Sequence, residues 1–474
     1  MSLRDFIALL EREGELAFVD AEVDPYLELA EIGDRAVKAH GPALLFRNVK
    51  GHPMPVVMNQ FGSQRRMELA LGAPLDDLAA RIAGLLDLQV PQGLAGKVKA
   101  LGQLRELASF APKLVRAGAF REVVVQPPDL GALPVLTTWP GDGGPFITLP
   151  VVVTKDLQGR RNAGMYRMQV FDAQTTGMHW HVHHDGAANF RESDGRMEVA
   201  VALGTDPAVT YAATAPLPPG IDEFMFAGFL RGEPVELVRC AGVDLEVPAD
   251  AEIVLEGYVE RGDEREEGPF GDHTGYYSLV DRYPVFHVTA VSHRREAIYP
   301  ATIVGKPPME DCYLGKATER LFLPLLRLTL PEIVDLELPV EGVFHDCAVV
   351  SIRKAYPGHA RKVMNAIWGM GQMMFTKFIV VVDEHVDVHD PSEVTWRVFN
   401  NVDPERDCVI VKGPLDVLDH SSPTPRYGAK MGIDATRAWA EEGHIREWPA
   451  EIVMDPAVVA RVSARWHEFK LPFS

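Results

Sequence analysis

Long apolar runs and ordinary nucleotide-binding loops are both missing from this sequence. No hydrophobic stretch reaches the roughly 18 residues that a membrane-spanning helix needs. The first residues show no charged lead followed by an apolar segment, so we predict no signal peptide and a cytoplasmic protein. Neither a G-x-G-x-x-G fingerprint nor a Walker loop occurs, which removes the usual sequence evidence for dinucleotide or ATP binding.

Cysteine and positive charge are also scarce. The 4 cysteines lie far apart and match no zinc-binding spacing, which favours a reducing compartment. Asp and Glu number 67 against 47 Lys and Arg, so the net charge is −20. Such a chain repels phosphate backbones, and nucleic acid is not expected as a partner. Any anion that this protein binds must be held locally, by a metal ion or by a few well-placed cations.

The 474-residue chain is too long for one compact core. Its pattern of hydrophobic, Pro and Gly residues changes twice along the sequence. We predict an α/β and helical region over residues 1–118 and a β-rich region over residues 119–306. A linking helix is expected over residues 307–330, followed by a second α/β region over residues 331–474. The predicted fold class is therefore mixed, α/β at both ends and β in the middle.

Helix signals dominate the first region. Ser2 and Asp5 predict a capping box for a first helix. Asp24 and the proline after it predict the start of a second helix, which Gly41 and the next proline stop. Residues 81–118 again show a helical and locally basic pattern, which is typical of a solvated helix face.

The middle region consists of short β-rich runs separated by Pro and Gly. No regular helices alternate with these runs, so the sequence favours an antiparallel barrel or sandwich over a parallel sheet. One helix is predicted within the region, over residues 222–231. The predicted strands are 148–154, 164–171, 198–203, 208–213, 252–259 and 285–291.

Beyond residue 307, helices and strands alternate, which indicates an α/β arrangement. The predicted helices are 316–329, 358–370 and 391–401. The predicted strands are 348–352, 378–382 and 408–411.

Three segments of the middle region carry residues suited to chemistry, and the first is 162–169. If this segment is a strand, Arg167 points to the same side as Met165 and Gln169. A guanidinium within such an apolar run is costly unless a carboxylate or a phosphate meets it. The alternative is an arginine on an edge strand that pairs with a surface acid.

The second segment is a histidine tract over residues 179–184. In an extended chain His179, His181 and His183 share one face, as in metal sites carried by strands. Further ligands would be carboxylates or amides, and Glu223, in the first turn of the predicted helix, is a candidate. Both features also have simpler interpretations, since histidine tracts occur as incidental surface and acids at helix starts favour the helix dipole.

The third segment holds two carboxylates, Glu267 and Asp272, on either side of a Gly-Pro-Phe-Gly turn. Such a turn can direct both side chains at one point. Like charges held close raise one pKa and so provide an acid that donates a proton near neutrality, while Arg167 would keep the other as the anion. The alternative is a loop whose acids are simply solvated.

Read in order, these segments resemble the UbiD decarboxylases. The likeness rests on Asn-x-Gly-x-Tyr-Arg at 162–167, the histidine tract, and Glu-Gly-Pro-Phe-Gly-Asp-His-Thr-Gly-Tyr-Tyr at 267–277. Within that family, the sequence most resembles the quinone-pathway branch, which acts on hydroxyaryl acids. Further likeness extends over nearly the whole chain, at residues 3–6, 13–16, 41–46, 252–258, 331–335 and 430–436.

The resemblance implies reversible decarboxylation of an aromatic or α,β-unsaturated acid. It implies a central split β-barrel of the flavin-reductase kind that holds prenylated FMN, which a flavin prenyltransferase supplies. Mn²⁺ or Mg²⁺, with K⁺ as a further candidate, would bridge the protein to the cofactor phosphate. The C-terminal α/β domain would support a homo-oligomer, either a dimer or a hexamer.

The same resemblance ranks quinone precursors first as substrates. These are a 4-hydroxy-3-polyprenylbenzoate or a naphthoate, with simpler phenolic or acrylic acids as alternatives. A polyprenylated substrate would imply a peripheral membrane contact.

The resemblance also assigns roles to individual residues. Arg167, Glu267 and Asp272 match the catalytic set, with Asp272 as the proton donor. The implied cation ligands are Asn162, His183 and Glu223. The implied cofactor-binding residues are Met165, Tyr166, Arg167, His179, Trp180, His181, His184, Asp185 and Lys430.

The histidine tract departs from the quinone-branch pattern. His179 and His184 stand where that branch has arginines, and Asp185 stands where it has glycine. Because fewer permanent cations would lie near the cofactor phosphate, the metal ion would have to neutralise more of the phosphate charge. Two other functions stay open: a flavin-independent metallohydrolase built on the cluster from His179 to His184, and a subunit of a larger carboxylase complex.

Overall fold

The structure is a computed structural model that describes residues 1–86, 102, 105–181, 184–218 and 220–471. The α-helices are α1 (Leu3–Arg12), α2 (Glu28–Lys38), α3 (Gln64–Leu71), α4 (Leu75–Leu86), α5 (Asp185–Glu192), α6 (Pro207–Ala212), α7 (Glu223–Arg231), α8 (Glu310–Thr329), α9 (His359–Trp368), α10 (Pro391–Asn401), α11 (Pro404–Asp407) and α12 (Pro456–Ala464). Among the helices in these ranges, none is both long and apolar enough to cross a membrane.

Within the described ranges the strands form four sheets. They are β1 (Leu16–Val19), β2 (Ala43–Phe46), β3 (Val56–Met58), β4 (Lys113–Leu114), β5 (Val123–Val125), β6 (Phe146–Ile147), β7 (Val151–Lys155), β8 (Arg161–Met165), β9 (Met168–Asp172), β10 (Thr175–Gly177), β11 (Arg196–Leu203), β12 (Glu236–Arg239), β13 (Glu246–Pro248), β14 (Ile253–Glu267), β15 (Asp281–His293), β16 (Tyr299–Pro300), β17 (Ile333–Glu337), β18 (Cys347–Ile352), β19 (Phe378–Asp383), β20 (Cys408–Pro414) and β21 (Tyr427–Asp434).

The N-terminal region is a small mixed sheet covered by helices. The sheet has the order β1-β2-β3-β16, so the chain returns to it after the central region. The capping box that we predicted for α1 is present, with Ser2 accepting from the Asp5 amide and the Asp5 carboxylate accepting from Ser2. This part confirms the expected α/β character of the first region.

Two expectations for this region are wrong in detail. The second helix begins at Glu28 rather than near Asp24, because the Asp24 carboxylate accepts a hydrogen bond from the Tyr26 amide and holds a turn there. The predicted helical pattern over residues 81–118 is confirmed at 81–86, within α4, and at 105–109, but not at 113–114, where β4 pairs in parallel with β12. Part of that segment lies outside the described residues.

The central region is an antiparallel sheet of nine described strands. The short β-rich runs of its sequence predicted such a sheet. Hydrogen-bonded neighbours follow the order β6-β9-β10-β15-β14-β11-β7-β8, and β5 pairs with β15. An interior of buried aliphatic and aromatic side chains, among them Val199, Leu255 and Phe286, fills the sheet's concave side. The predicted antiparallel architecture is therefore confirmed.

The sheet must curl, because consecutive strands of the chain lie near its opposite ends. Five strands separate β8 from β9 along the sheet, and only Tyr166 and Arg167 join them in sequence. In a flat sheet six inter-strand steps would span about 29 Å. A two-residue link covers at most about 11 Å between the flanking Cα atoms. The two ends of the sheet are thus brought together as a half-barrel, and the chain itself forms the seam.

The predicted strand at 208–213 is wrong, because this segment is helix α6. Its Ala-Val-Thr-Tyr run suits a strand by propensity. However, the Asp206 carboxylate accepts from the Ala208 amide, and Pro207 occupies the first helical turn, so a helix start is encoded directly before it. Capping at the start of the segment outweighs its β propensity.

The C-terminal region is a five-stranded sheet with the order β17-β18-β19-β21-β20, flanked by helices. Its central pairs β18–β19 and β19–β21 are parallel, which confirms the predicted α/β arrangement. Helix α8, which begins at Glu310 rather than near residue 316, packs against both the N-terminal helices and β17. It joins the regions on either side of it.

A glycine on β14 lets the longest two strands pair closely where the register shifts. A Cβ added at Gly257 would lie 1.9 Å from the backbone oxygen of His287 on β15, and the β14–β15 register shifts beside it. We expect Gly257→Ala to lower the midpoint of thermal unfolding by several degrees, since this clash involves backbone and costs about 1–3 kcal/mol. Circular dichroism would measure the change.

The matched control is Gly84→Ala on helix α4. Gly84 is exposed, and nothing lies within 4 Å of its added Cβ. This substitution should leave the midpoint unchanged or raise it, because alanine is the better helix former. Equal effects of the two variants would contradict the proposed packing at the barrel strands.

Candidate active site

Arg167 stands at the seam of the half-barrel and binds two carboxylates. Its Nε donates to Oε1 of Glu267 at 3.2 Å, and its Nη1 donates to Oδ2 of Asp272. Nη2 donates to the Ser278 hydroxyl at 3.1 Å, and the guanidinium lies 4.5 Å from the centre of the Phe270 ring. Each of its three nitrogens is therefore engaged by the end of β14 or by the loop after it, and the alternative of a surface-paired arginine is excluded.

The two carboxylates come from the end of β14 and the loop after it. Glu267 is the last residue of β14, and the next amide, that of Gly268, donates to Oε1 of Gln169 at 2.7 Å. The loop passes so close to Trp139 that a Cβ on Gly271 would lie 2.1 Å from its ring. Glu267 is 1% exposed and Asp272 6%, so these are not solvated loop acids.

Burial and charge separate the proton affinities of the two acids. Burial raises the pKa of Glu267, and Arg167 only partly opposes it. Burial also acts to raise the pKa of Asp272, but Arg167 and His273 outweigh it and hold this pKa well below the usual range. In the structure without substrate, Glu267 is thus the carboxyl that retains a proton more readily, and Asp272 is the anion.

The resemblance makes Asp272 the proton donor, whereas its neighbours favour its anion before a substrate binds. The physical reasons are the charge of Arg167 and then His273, whose amide and Nδ1 both lie 2.8 Å from Oδ1 of Asp272. Asp272 can still transfer a proton if a neighbour supplies it.

The first two histidines of the tract lie beside the ion cluster. Nδ1 of His179 contacts Oε2 of Glu267, and Nε2 of His179 lies 2.7 Å from Nε2 of His181. Burial, followed by the charge of Arg167, lowers the pKa of His179, so its ring is neutral. The ring also lies 4.3 Å from that of Tyr283. These histidines extend the hydrogen-bonded network away from Glu267.

Aromatic and imidazole rings line the wall next to this network. The His181 and His184 rings stack at 4.9 Å, and Tyr166 lies 4.8 Å from His184 and 6.3 Å from Trp180. The buried Trp180 Nε1 has no hydrogen-bond partner among the described groups. Such a wall of flat rings with an unused donor suits a planar, polar-edged ligand.

The remaining predicted cofactor residues flank this wall. Met165 ends β8, and its amide donates to the Ala213 carbonyl at 2.9 Å. Asp185 begins α5, whose first turn lies close enough to Tyr166 for their charges to interact. Thus the structure brings together the predicted residues Tyr166, Arg167, His179, Trp180, His181, His184 and Asp185, whereas Met165 packs against the core cluster that contains Phe224.

A second acidic group lies on the other side of Tyr166. Oε2 of Glu223 accepts from the Ala163 amide at 3.0 Å, and Nδ2 of Asn162 lies 3.4 Å from the Tyr166 hydroxyl. Burial raises the pKa of Glu223 to about 7, and the charges of Asp222 and Asp185 add to the effect. A half-buried carboxylate next to two further acids is suited to a cation, which would reduce that repulsion.

The third predicted cation ligand, His183, lies outside the described residues. Glu223 stands in the first turn of α7, as predicted, with Asp222 as its N-cap. Among the described residues, Asn162 and Glu223 are therefore the candidate cation ligands.

Lys430 is not in contact with this cluster. It lies on β21, and its Nζ donates to the Met374 carbonyl within the C-terminal region. Burial lowers the pKa of Lys430 to about 8. Its predicted contact with the cofactor phosphate stays a prediction.

Several residues that the sequence analysis did not single out face the site. His273 contacts His345 across the contact between the barrel and the C-terminal region, with 2.8 Å between their Nε2 atoms. Asp311, at the start of α8, has a buried oxygen without a described partner, and burial raises its pKa to about 6. Only His273 had a signal in the sequence, since it follows Asp272 directly.

A cleft of about 450 Å³ opens next to the ring wall. Trp180 and Tyr283 line its inner side. Four arginines, Arg191, Arg261, Arg282 and Arg426, and two acids, Glu264 and Asp281, also line it. Although the chain is acidic as a whole, this cleft has an excess of cations, which an anionic ligand requires.

Within the described part of the chain, one other group has metal-like spacing. Glu319, Glu337 and His389 place one ligand atom each within 4.8 Å of one another. However, Lys316 Nζ already bonds both Glu319 and Glu337. Since an ammonium occupies the position a cation would take, this group is an ion-pair network between α8 and the C-terminal sheet.

Three family models match consecutive parts of the chain. They are described as the N-terminal, Rift-related and C-terminal domains of 3-octaprenyl-4-hydroxybenzoate carboxy-lyase, named UbiD, and match residues 7–86, 113–307 and 312–435. An uncharacterised protein of Archaeoglobus fulgidus is 54% identical over 475 residues, covering 99% of this chain and 98% of that one.

Two solved enzymes share the whole fold. The UbiD-class enzyme HmfF of Pelotomaculum thermopropionicum, in complex with FMN, is 32% identical with a TM-score of 0.82 over 97% of this chain and 98% of its own. An evolved dimeric form of it was solved with prFMN. The vanillic acid decarboxylase of Sedimentibacter hydroxybenzoicus, in its closed form, is 28% identical with a TM-score of 0.85 over 99% of both chains.

The acidic group around Glu223 yields a test by metal binding. We expect Glu223→Gln to lower the affinity for Mn²⁺ at least about tenfold, since the charged ligand is replaced by a neutral one of equal shape. Calorimetric titration of the purified protein with MnCl₂ measures this. The control is Glu192→Gln, an exposed residue at the end of α5. Unchanged Mn²⁺ affinity in Glu223→Gln would rule out this carboxylate as a ligand.

Proposed function

The chain belongs to the UbiD family of carboxy-lyases, and on that premise we propose that it decarboxylates an aromatic or α,β-unsaturated acid with prenylated FMN and a divalent metal. One observation carries the proposal. Arg167, Glu267 and Asp272, which are distant in sequence, meet in one buried ion cluster beside a wall of rings.

The reaction explains why the site needs a cofactor. Cleavage of the bond to CO₂ leaves an electron pair that no side chain can hold, and the prenylated flavin, when bound, serves as the sink. The ring wall of Tyr166, Trp180, His181 and His184 would hold it, with the unused Trp180 Nε1 available as a donor. Asn162, His183 and Glu223 would hold Mn²⁺ or Mg²⁺, or K⁺, near its phosphate.

The protein's own groups then control charge and protons. Asp272 would pass a proton to the carbon that loses CO₂, because it is the acid with a cationic proton source, His273, at hydrogen-bond distance. Arg167 would keep Asp272 and Glu267 in place and compensate their charge. Glu267, buried and connected to His179, would orient the reacting centre.

The proposed substrate class is hydroxyaryl acids. The four-arginine cleft next to Trp180 and Tyr283 supports an anionic substrate in an otherwise acidic protein. The family description names a polyprenylated hydroxybenzoate, and we rank that or a naphthoate first. A similar solved enzyme is a vanillic acid decarboxylase, so small phenolic acids come next. A polyprenylated substrate would bring the protein to a membrane surface.

The cofactor and the exposed apolar side chains each indicate a partner protein. A flavin prenyltransferase would supply prenylated FMN. The C-terminal region exposes apolar side chains, among them Phe399 at 79% and Ile445 at 91%, which supports burial in a homo-oligomer, a dimer or a hexamer. Among the described residues of the histidine tract nothing favours a metallohydrolase, because Glu267 and His181 already engage both nitrogens of His179.

The substrate class is tested with the loaded enzyme. We expect the protein co-expressed with a flavin prenyltransferase to show flavin absorbance and to release CO₂ from at least one acid of a panel. The panel contains prenylated and plain 4-hydroxybenzoates, hydroxynaphthoates, vanillate and cinnamates. Flavin-loaded protein that releases no CO₂ from any of them would contradict the proposal, and turnover only with added partner proteins would indicate a complex subunit.

The ion cluster is tested by two neighbouring residues. We expect Glu267→Gln to lower turnover about 100-fold or more, the usual scale for acid–base groups, without loss of flavin absorbance. Glu266→Gln is the matched control, because Glu266 is the adjacent residue of β14 and points to solvent. Steady-state rates of CO₂ release give the comparison, and near-normal turnover in Glu267→Gln would remove this carboxyl from the mechanism.

A further inference from the structure

The proposed reaction requires one proton from solvent in every turnover. RCO₂⁻ plus H⁺ gives RH plus CO₂, so the proton that Asp272 donates must be replaced. Asp272 is only 6% exposed, and Arg167 covers its Oδ2. A protein path for protons must therefore reach its other oxygen, Oδ1. This requirement rests on the proposed function.

The contacts of Oδ1 form such a path. Nδ1 of His273 lies 2.8 Å from Oδ1 of Asp272, and Nε2 of His273 lies 2.8 Å from Nε2 of His345. Two ring nitrogens at this distance share one hydrogen, which one of them donates and the other accepts. Nδ1 of His345 is buried, makes no hydrogen bond to a described group and lies 3.4 Å from the Asp346 carboxylate. Two contacts at hydrogen-bond distance and one longer ion contact thus lead away from the ion cluster.

The path also leads outwards. Side-chain exposure rises from 8% at Asp272 to 18% and 20% at the two imidazoles and 28% at Asp346. His273 belongs to the loop after β14, whereas His345 lies in the segment before β18. The path therefore crosses the contact between the barrel and the C-terminal region, and its outer end is the wetter one.

The groups around His273 favour a proton on its ring. Burial opposes the charge, but the hydrogen bond and charge of Asp272 raise the pKa of His273 to about 9. Asp311 on α8 and Asp416 after β20 add negative potential, and the Phe344 ring stacks at 5.2 Å. His345 is the other titratable group in contact. At neutral pH the store of the proton is therefore His273 and not Asp272.

We propose that His273 and His345 form a proton relay that recharges Asp272 from the outer side of the contact between the barrel and the C-terminal region. After Asp272 gives its proton to carbon, the Nδ1 proton of the His273 imidazolium moves to Oδ1 of Asp272. Tautomer exchange in both neutral rings then places the hydrogen of His273 on Nδ1 and that of His345 on Nε2. As Nδ1 of His345 takes one proton that enters from solvent by way of Asp346, its Nε2 proton passes to the vacated Nε2 of His273.

A neighbouring histidine provides a matched control. His420 also reaches from the C-terminal region to this loop, and its ring lies 3.9 Å from that of Tyr276, away from Asp272. We expect His345→Gln to lower kcat about tenfold or more with little change in KM, and His420→Gln to stay near the wild type. Added imidazole should restore part of the rate in His345→Ala.

Isotope exchange separates proton supply from bond cleavage. Exchange of ¹³CO₂ into the substrate carboxylate breaks and remakes the C–C bond but uses no proton. His345→Gln should therefore keep this exchange while product formation falls. A parallel loss of both, or equal effects of His345→Gln and His420→Gln on kcat, would overturn the relay. A wild type that releases no CO₂ would instead overturn the proposed function.

A second measurement needs neither cofactor nor substrate. In the cofactor-free protein with ¹⁵N-labelled histidine rings, the signals lost in His273→Gln identify this imidazole. They should stay protonated at neutral pH and titrate near the pKa of about 9. His345→Gln should shift that titration, whereas His420→Gln should not. An unprotonated His273 at neutral pH, or a titration that His345→Gln leaves unchanged, would refute the relay by itself.

Discussion

One guanidinium holds two buried carboxylates together, and both the barrel seam and the site depend on that ion cluster. Arg167 meets Glu267 and Asp272, which are almost fully buried. Without the cation, two like charges in a place with little water would repel one another. Removal of a partner from a buried cluster of this kind is far more damaging than loss of a surface pair. The seam between β8 and β9 and the end of β14 must therefore be placed correctly for the cluster to form.

Much of the fold follows from local signals in the sequence. Short β-rich runs without helices between them predicted the antiparallel central sheet, and alternation after residue 307 predicted the C-terminal α/β region. The failures have local causes as well. At Pro207 a helix start outweighs the β propensity of the residues after it, and the Asp24 turn delays α2. The residue pattern left barrel and sandwich both open, and only the family resemblance implied the curl, because the curl depends on pairing between strands far apart in the chain.

Part of the candidate site could likewise be predicted from the sequence, and part of it could not. Arg167, Glu267 and Asp272 could be grouped from residue types and turn chemistry, and the structure brings them into contact. The proton states could not be predicted, since they arise from tertiary neighbours. His345, 73 residues after Asp272, reaches this neighbourhood only through the docking of the C-terminal region. Lys430, grouped with the site by likeness alone, lies apart from it.

The link between β8 and β9 has no spare length. One inserted residue would add about 3.3 Å, which exceeds the tolerance of a hydrogen bond and would separate Arg167 from its partners. The turn at 156–160, at the other end of β8, is exposed and carries no such constraint. In a redesign of this protein, loop grafts and affinity tags therefore belong in the turn at 156–160. The two-residue link between β8 and β9 tolerates no insertion.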